Sequence, residues 1–234
     1  MNIVIPMAGA GSRFTNAGIH IPKPLIKVKG LSLIEHSVNS FDVNGTYIFI
    51  TRKNNNSYDK ILSEKLISIR PESKQIQIDS VTSGAVETVL QAKDYIDNDE
   101  PLVVFNCDQL IKWNVENFLT FLYKKDPHSL VVTYTSTDPK NSFAIVEGCK
   151  VTSLVEKKPV SNAALIGFHY WKRGKDFVDS AHKLMSSFKE NGIKESYISE
   201  SFNFLDGDIY QYHVRNETYI PLGTPEDVQK YEEI

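Results

Sequence analysis

Two basic side chains, Arg13 and Lys23, stand ten residues apart around a glycine-containing turn. The turn, Ala8-Gly9-Ala10-Gly11-Ser12-Arg13-Phe14, follows the apolar stretch 2–6 almost at once. Glycine has no Cβ, so the backbone at Gly9 and Gly11 can bend sharply and bring bare N–H groups close to a ligand. A guanidinium forks onto phosphate oxygens, and an ammonium acts as a point charge. Pro22 and Pro24 restrict the backbone on both sides of Lys23 and disfavour helix, so the pattern predicts an extended lysine in a defined position. Free backbone donors with two cations are what a triphosphate requires, which points to a nucleotide-handling enzyme. Each part taken alone has a plainer reading: a tight strand-to-loop turn, a surface ion pair at Arg13, a solvated lysine at Lys23. The turn is not a Walker A loop, since no Gly-Lys-Ser/Thr follows at the required spacing. It is not the dinucleotide fingerprint either, since Phe14 stands where the third glycine belongs.

A carboxylate completes the chemistry. Asp108 ends the run Val103-Val-Phe-Asn-Cys-Asp108, and in an open parallel sheet ligands gather at that edge. Mg²⁺ takes one or two carboxylates together with phosphate oxygens, which makes Asp108 its candidate ligand. Capping of the turn after the strand is the alternative. Asp108-Gln109-Leu110 has no second acid, so it is not the Asp-x-Asp of glycosyltransferases.

The elements that must position these groups alternate. Strands are expected over 2–6, 45–51, 75–79 and 101–107. Helices are expected over 32–41, 58–69 and 84–96, with Pro71 stopping the second. The loop after the first strand is expected to run without structure until the helix near Ser32. This rhythm predicts an α/β fold with a Rossmann-like, mostly parallel central sheet flanked by helices. The second half is richer in strands, at 130–135, 143–147, 150–155, 164–171 and 208–214. Helices are expected there over 175–189, 196–204 and 225–233, the last with proline in its first turn. Thr82-Ser83-Gly84 opens the 84–96 helix, where Ser83 could cap free N–H groups and Glu87 suits the first turn. No linker is visible, so one domain is expected over 1–234, with 1–125 mainly nucleotide-binding and 126–234 mainly acceptor-binding.

The chain has 234 residues, enough for a substantial core. Its 26 basic and 29 acidic residues give a formal net charge of −3 with no basic run, which disfavours nucleic acid. Two cysteines, Cys107 and Cys149, make neither a disulfide framework nor a metal pair and fit a reducing cytoplasm. No stretch has the length of a membrane span, and the apolar start is too short for a signal peptide.

The combination of Gly9-Ala-Gly11-Ser12-Arg13-Phe14 with Pro22-Lys23-Pro24-Leu25 resembles the signature of the nucleotidyltransferases that activate sugar phosphates and related small phosphates. The resemblance covers essentially the whole chain and implies a GT-A-like architecture. It also implies that Ala8 to Ser12, with Ser83 and Gly84, surround the nucleotide. Arg13 and Lys23 would bind the triphosphate and stabilise departing pyrophosphate, and Asp108 would hold Mg²⁺. In Glu156-Lys157-Lys158-Pro159, Lys158 best matches the family lysine that meets the acceptor phosphate, with Lys157 the alternative. Gly167 resembles a glycine lining the acceptor pocket; without the resemblance it reads as a β-bulge, and the lysine pair as a solvated strand end. The late loop Tyr219-Ile-Pro-Leu-Gly-Thr-Pro-Glu-Asp227 departs from the family, which often has a second metal-binding aspartate there. Either Glu226 or Asp227 substitutes, or one carboxylate with water and phosphates suffices.

The resemblance implies a Mg²⁺-dependent, cytoplasmic transferase that joins a nucleoside triphosphate, with CTP preferred, to a small phosphate. The compact length is similar to members serving capsule or surface-polysaccharide synthesis. The acceptor could be a sugar phosphate, a polyol phosphate such as glycerol phosphate, phosphocholine or phosphoglutamine. A glycosyltransferase and a non-catalytic nucleotide-binding module are the rival classes. No membrane partner is expected, and a homodimer is the default assembly.

Overall fold

The computed structural model describes residues 1–191 and 195–234. In its first part the chain forms β1 (Asn2–Met7), α1 (Ser12–Asn16), β2 (Lys27–Val28), β3 (Leu31–Ser32), α2 (Leu33–Asn39), β4 (Thr46–Arg52), α3 (Ser57–Ile69), β5 (Lys74–Ile78), α4 (Ala85–Leu90), α5 (Lys93–Ile96) and β6 (Leu102–Phe105). There follow β7 (Gln109–Ile111), α6 (Val115–Lys125), β8 (Ser129–Thr135), β9 (Phe143–Glu147), β10 (Lys150–Val155), β11 (Ala163–Trp171), α7 (Gly174–Asn191), α8 (Ile198–Ser201), β12 (Ile209–His213), β13 (Tyr219–Pro221) and α9 (Pro225–Glu233).

Nine strands form the main sheet in the order β5-β4-β1-β6-β11-β8-β12-β10-β9. The four at the β5 end are mutually parallel. β11 then runs antiparallel between β6 and β8, and β10 antiparallel to both β12 and β9. The α/β fold with helices flanking a central sheet is therefore present, but the sheet is mixed: parallel at the β5 end, and antiparallel at its middle, where β11 lies.

Strand periodicity sorts the core into two faces. Val4, Ile48, Ile50, Leu102 and Val104 pack on one side with Val86, Val89 and Ile96 of α4 and α5 and with Phe177, Ala181 and Leu184 of α7. Ile3, Ile5, Phe49, Val103 and Phe105 pack on the other with Ile34 and Val38 of α2, Leu62 and Leu66 of α3, and Phe118 and Leu122 of α6. Burial on both faces is why these strands read as unbroken apolar runs. Each such side chain contributes about 1.5–3 kcal/mol on leaving water. This rigid double-sided core holds the strand ends from which the loops project.

Several expectations are corrected. The loop after β1 contains α1, because Gly11 takes φ +65° at its start and Phe14 folds inward to 2% exposure. Lys23 is not extended. Lys23–Leu25 forms one 3₁₀ turn closed by bonds from Leu25 N–H to Pro22 O (2.8 Å) and Ile26 N–H to Lys23 O (3.1 Å). Proline in a first helical turn sacrifices no hydrogen bond, so Pro24 fits this turn as well as an extended chain. The single helix over 84–96 is two short ones. The chain tightens between them, where Gln91 N–H reaches Thr88 O and Ala92 N–H reaches Val89 O. The 196–204 helix reduces to α8 and a 3₁₀ turn over Phe202–Phe204, and Ser196 instead bridges to Gly84. No element was legible over 115–125, where α6 stands, capped by the Asn114 side chain accepting from Asn117 N–H.

Candidate functional site

The carboxyl ends of β1, β4 and β6 open into a cavity of about 570 Å³. Its walls are Gly9, Ala10, Gly11 and Arg13 of the first loop, residues 20–24, Arg52 at the end of β4 and Asn54 beyond it, and Asn106, Cys107 and Asp108 after β6. A second cavity of about 560 Å³ is lined by residues 8–12, 81–85 and Thr88. Pro6, Gly9, Ala10, Gly11, Asn106 and Glu195 line both, so the two volumes adjoin across the first loop. Ala8 to Ser12, Ser83 and Gly84 thus all lie on the second cavity, and Arg13, Lys23 and Asp108 all lie on the first.

Lys23 forms an ion pair with Asp108, although the two are far apart in sequence. Both are mostly covered, at 23% and 19% side-chain exposure. Burial alone would push the Lys23 ammonium down, but the neighbouring Asp108 carboxylate outweighs it, and the lysine sits above its ordinary value. Lys23 also lies 5.7 Å from the centre of the buried Phe14 ring, so α1 and the 3₁₀ turn are packed together through it. Arg13, exposed and close enough to repel Lys23, has no acidic partner among the described residues. The arrangement is a paired lysine beside an unpaired guanidinium, a site prepared for an anion.

Cys107 lines the same cavity. Burial, reinforced by Asp108, pushes its thiol up to about 12, so it stays protonated near neutrality and offers no thiolate nucleophile.

The loop at 82–84 is held differently from expectation. Ser83 does not cap α4 with its side chain; Gly84 occupies that position. The Glu87 carboxylate accepts the Ser83 N–H at 2.5 Å, and Thr82 Oγ1 meets Thr88 Oγ1 at 2.6 Å. Gly84 has φ +143°, and a Cβ there would stand 2.3 Å from Ser196 O. Only glycine permits this approach, which brings the 195–197 segment against the second cavity.

The sequence-predicted acceptor residues are less convergent. Neither Lys157 nor Lys158 lines either cavity. Lys157 donates to the Tyr197 hydroxyl, which donates to Glu195, and its ammonium lies 4.1 Å from the Tyr197 ring centre. That hydrogen bond, opposed by partial burial, holds Lys157 above its ordinary value. Tyr197 and Glu195 do line the first cavity, so Lys157 reaches its rim through them. Lys158 is exposed in the turn after β10. Gly167 sits in a register shift of β11 against β8, the β-bulge geometry, with φ +68°. It lies behind Asn106 rather than on a cavity wall: a Cβ there would be 2.1 Å from Asn106 Nδ2.

For a divalent ion, the donor set is small. Among the described residues no group of three or more His, Cys, Asp or Glu is arranged to hold a metal. A Cβ on Gly223 would stand 3.0 Å from Asp108 Oδ2 and 3.8 Å from Asp227 Oδ2, so two carboxylates face one glycine-lined gap. Glu226 is outside it. Asp227 also receives the Thr224 N–H at 3.0 Å as part of the α9 cap. These residues fit a magnesium ion that takes its remaining ligands from phosphate and water.

Residues missed from sequence are Arg52, Asn54, Asn106, Glu195 and Tyr197. Arg52 and Asn106 carried a usable signal, since each stands at the carboxyl edge of a readable parallel strand.

Residues 3–215 match the nucleotidyl transferase family. The chain is 25% identical over 199 residues to the bifunctional protein GlmU of Methanocaldococcus jannaschii, covering 83% of this chain and 45% of that protein. It is 26% identical over 162 residues to the bifunctional protein GlmU of Methanococcus vannielii, covering 67% and 35%. The chain thus spans less than half the length of these curated relatives. A nucleoside-diphosphate-sugar pyrophosphorylase from Vibrio cholerae superposes with a TM-score of 0.86 at 25% identity, covering 99% of this chain and all of the other. The inositol-1-phosphate CTP transferase of T. maritima shares the fold, with a TM-score of 0.76 at 16% identity over 99% of this chain and 93% of that one.

Proposed function

This chain belongs to the nucleotidyl transferase family, and from that premise we propose that it joins a nucleoside triphosphate to a small phosphate with release of pyrophosphate. The observation that carries the reading is the convergence of Arg13, Lys23 and Asp108 on one cavity beside a glycine-bordered second cavity. The second cavity suits base and ribose, and the first suits the polyphosphate.

An oxygen of the acceptor phosphate attacks the α-phosphorus. The bond from that phosphorus to the oxygen bridging toward the β-phosphate breaks, and its electrons leave with pyrophosphate. An ionised phosphate is already a nucleophile, so no enzyme-bound intermediate is needed, in keeping with a protonated Cys107. Catalysis is positioning plus charge stabilisation. Arg13 and Lys23 bind the departing pyrophosphate, Lys23 exchanging its bond to Asp108 for phosphate oxygens. Asp108, with Asp227 across Gly223, would hold the magnesium ion, whose chemistry is neutralisation of phosphate charge. Lys157 orients the acceptor from the rim, ahead of Lys158, because only Lys157 is coupled to cavity-lining side chains.

We read the triphosphate as CTP and the acceptor as a sugar phosphate or a small non-sugar phosphate such as phosphoglutamine, phosphocholine or glycerol phosphate, supplied to capsule or surface-polysaccharide synthesis. The fold likeness to an inositol-1-phosphate CTP transferase supports that reading. The test is to incubate the protein with Mg²⁺, each nucleoside triphosphate and a panel of such phosphates, and to measure pyrophosphate. Release with CTP and one acceptor is expected. No release with any pair, or transfer from a nucleotide sugar without pyrophosphate, overturns the reading.

A further inference from the structure

Asn106 is exposed at the end of β6, a strand whose four residues are all buried. Its backbone is pinned from two sides. Its N–H donates to Gly167 O at 3.0 Å, and its carbonyl accepts from the Ser37 hydroxyl. Its side-chain amide has no hydrogen-bond partner among the described residues, yet it lines both cavities. The protein thus fixes the main chain firmly and leaves the amide free where the two volumes adjoin.

Gly167 explains how that amide keeps its place. Its φ of +68° and the β11 register shift bring bare backbone against Asn106. A methyl group would lie 2.1 Å from Nδ2 and 2.7 Å from Cγ, closer than nonbonded atoms approach, so any side chain at 167 displaces the amide. Glycine takes this left-handed conformation without strain, and the bulge it makes is what lets the backbone of β11 approach Asn106 so closely.

We propose that Asn106 is a substrate-contact residue that donates through Nδ2 to a phosphate oxygen at the junction of the two cavities, and that Gly167 is its positioning residue. The proposal rests on the nucleotidyl-transfer reading and adds a neutral donor to the two cations. A neutral amide at that junction satisfies a phosphate oxygen without adding a negative charge next to Asp108.

The test compares wild type, Asn106→Ala, Asn106→Leu, Gly167→Ala and the Asn106→Ala/Gly167→Ala double variant. The readouts are affinity for inorganic triphosphate with Mg²⁺, kcat and KM for pyrophosphate release, and the unfolding midpoint. Both Asn106 variants are expected to lower kcat/KM at least tenfold with an unchanged midpoint, since the side chain is exposed. Gly167→Ala is expected to lower kcat/KM alone and to have no further effect in the Asn106→Ala background, where it has nothing left to displace. It should also destabilise wild type more than it destabilises Asn106→Ala. Asn106 variants within twofold of wild type in both turnover and triphosphate affinity overturn the contact. A Gly167→Ala loss that persists undiminished in the double variant overturns the positioning role. Should Gly167→Ala fail to fold, the two Asn106 variants still decide the contact. If wild type releases no pyrophosphate on the panel, the proposed function falls. The triphosphate arm then decides Asn106 by itself: a tenfold loss of affinity supports the contact, and an unchanged affinity overturns it.

Discussion

The first and second halves of this molecule deliver their charged side chains to the site in different ways. Arg13, Lys23 and Asp108 come from strand-end loops of the parallel strands and stand directly on the cavity, two of them already paired. Lys157 comes from the mixed part of the sheet and reaches the rim only through Tyr197 and Glu195. A rigid, doubly buried core places short loops accurately. A contact relayed through exposed side chains is weaker and more easily rearranged. Preassembly on one side and a relay on the other suit the proposed reaction, with the polyphosphate on the preassembled side and the acceptor held from the rim.

Breaking the preassembled side should have the largest effect. Arg13→Ala and Lys23→Ala are each expected to lower kcat roughly a hundredfold, about 2–4 kcal/mol of transition-state stabilisation, measured as steady-state pyrophosphate release. Unchanged turnover in both would remove the distinction between the halves. The next effect is on stability, at the place where the halves touch. Gly84→Ala drives a Cβ into Ser196 O, 2.3 Å away, and is expected to cost about 2 kcal/mol in urea unfolding. A cost under about 0.5 kcal/mol, the usual range for surface substitutions, would show that this junction is loose.

The relayed side should give less. Lys157→Ala is expected to raise the acceptor KM about fivefold, the roughly 1 kcal/mol of an exposed ion pair, with kcat nearly constant. Lys158→Ala should stay within twofold; the reverse order of the two would reassign the acceptor contact. The smallest effect is one of pH. Because pairing with Asp108 outweighs burial and raises Lys23 above 10.5 in the folded protein, the stabilisation from the pair is complete below that value and is lost as pH rises through the folded one. From neutral pH upward, the stability difference between wild type and Lys23→Met should therefore shrink only in the alkaline range; a difference that shrinks between pH 6 and 8 would contradict this.

Legibility followed the same divide. Ile3, Val4 and Ile5 are consecutive and apolar because β1 is buried on both faces, and that pattern is local. So are the Gly-x-Gly turn and the proline-flanked lysine, and the motif residues of the first half were readable without a structure. What could not be read was conformation that depends on packing. Gly11 to Phe14 coil into α1 because Phe14 finds a pocket formed with Leu33, Leu222 and Tyr231 from distant parts of the chain. Lys23 turns rather than extends for want of any local signal distinguishing the two. The pairing of β7 with β13 joins three-residue segments too short to carry a period. Lys157 and Lys158 are adjacent and chemically alike, so only Tyr197, forty positions away, separates them. Gly167 was legible as a special glycine and Asn106 stood at a readable strand end, but the contact between them was not legible, since it joins two strands distant in sequence.

The central claim is that Arg13 and Lys23 receive the polyphosphate. A crystal structure with CTP in a non-hydrolysable form and Mg²⁺ tests it most directly. The expected result is Lys23 Nζ and the Arg13 guanidinium within hydrogen-bonding distance of phosphate oxygens, with Lys23 released from Asp108. An intact Lys23–Asp108 pair, with Arg13 in solvent and the phosphates elsewhere, would contradict it.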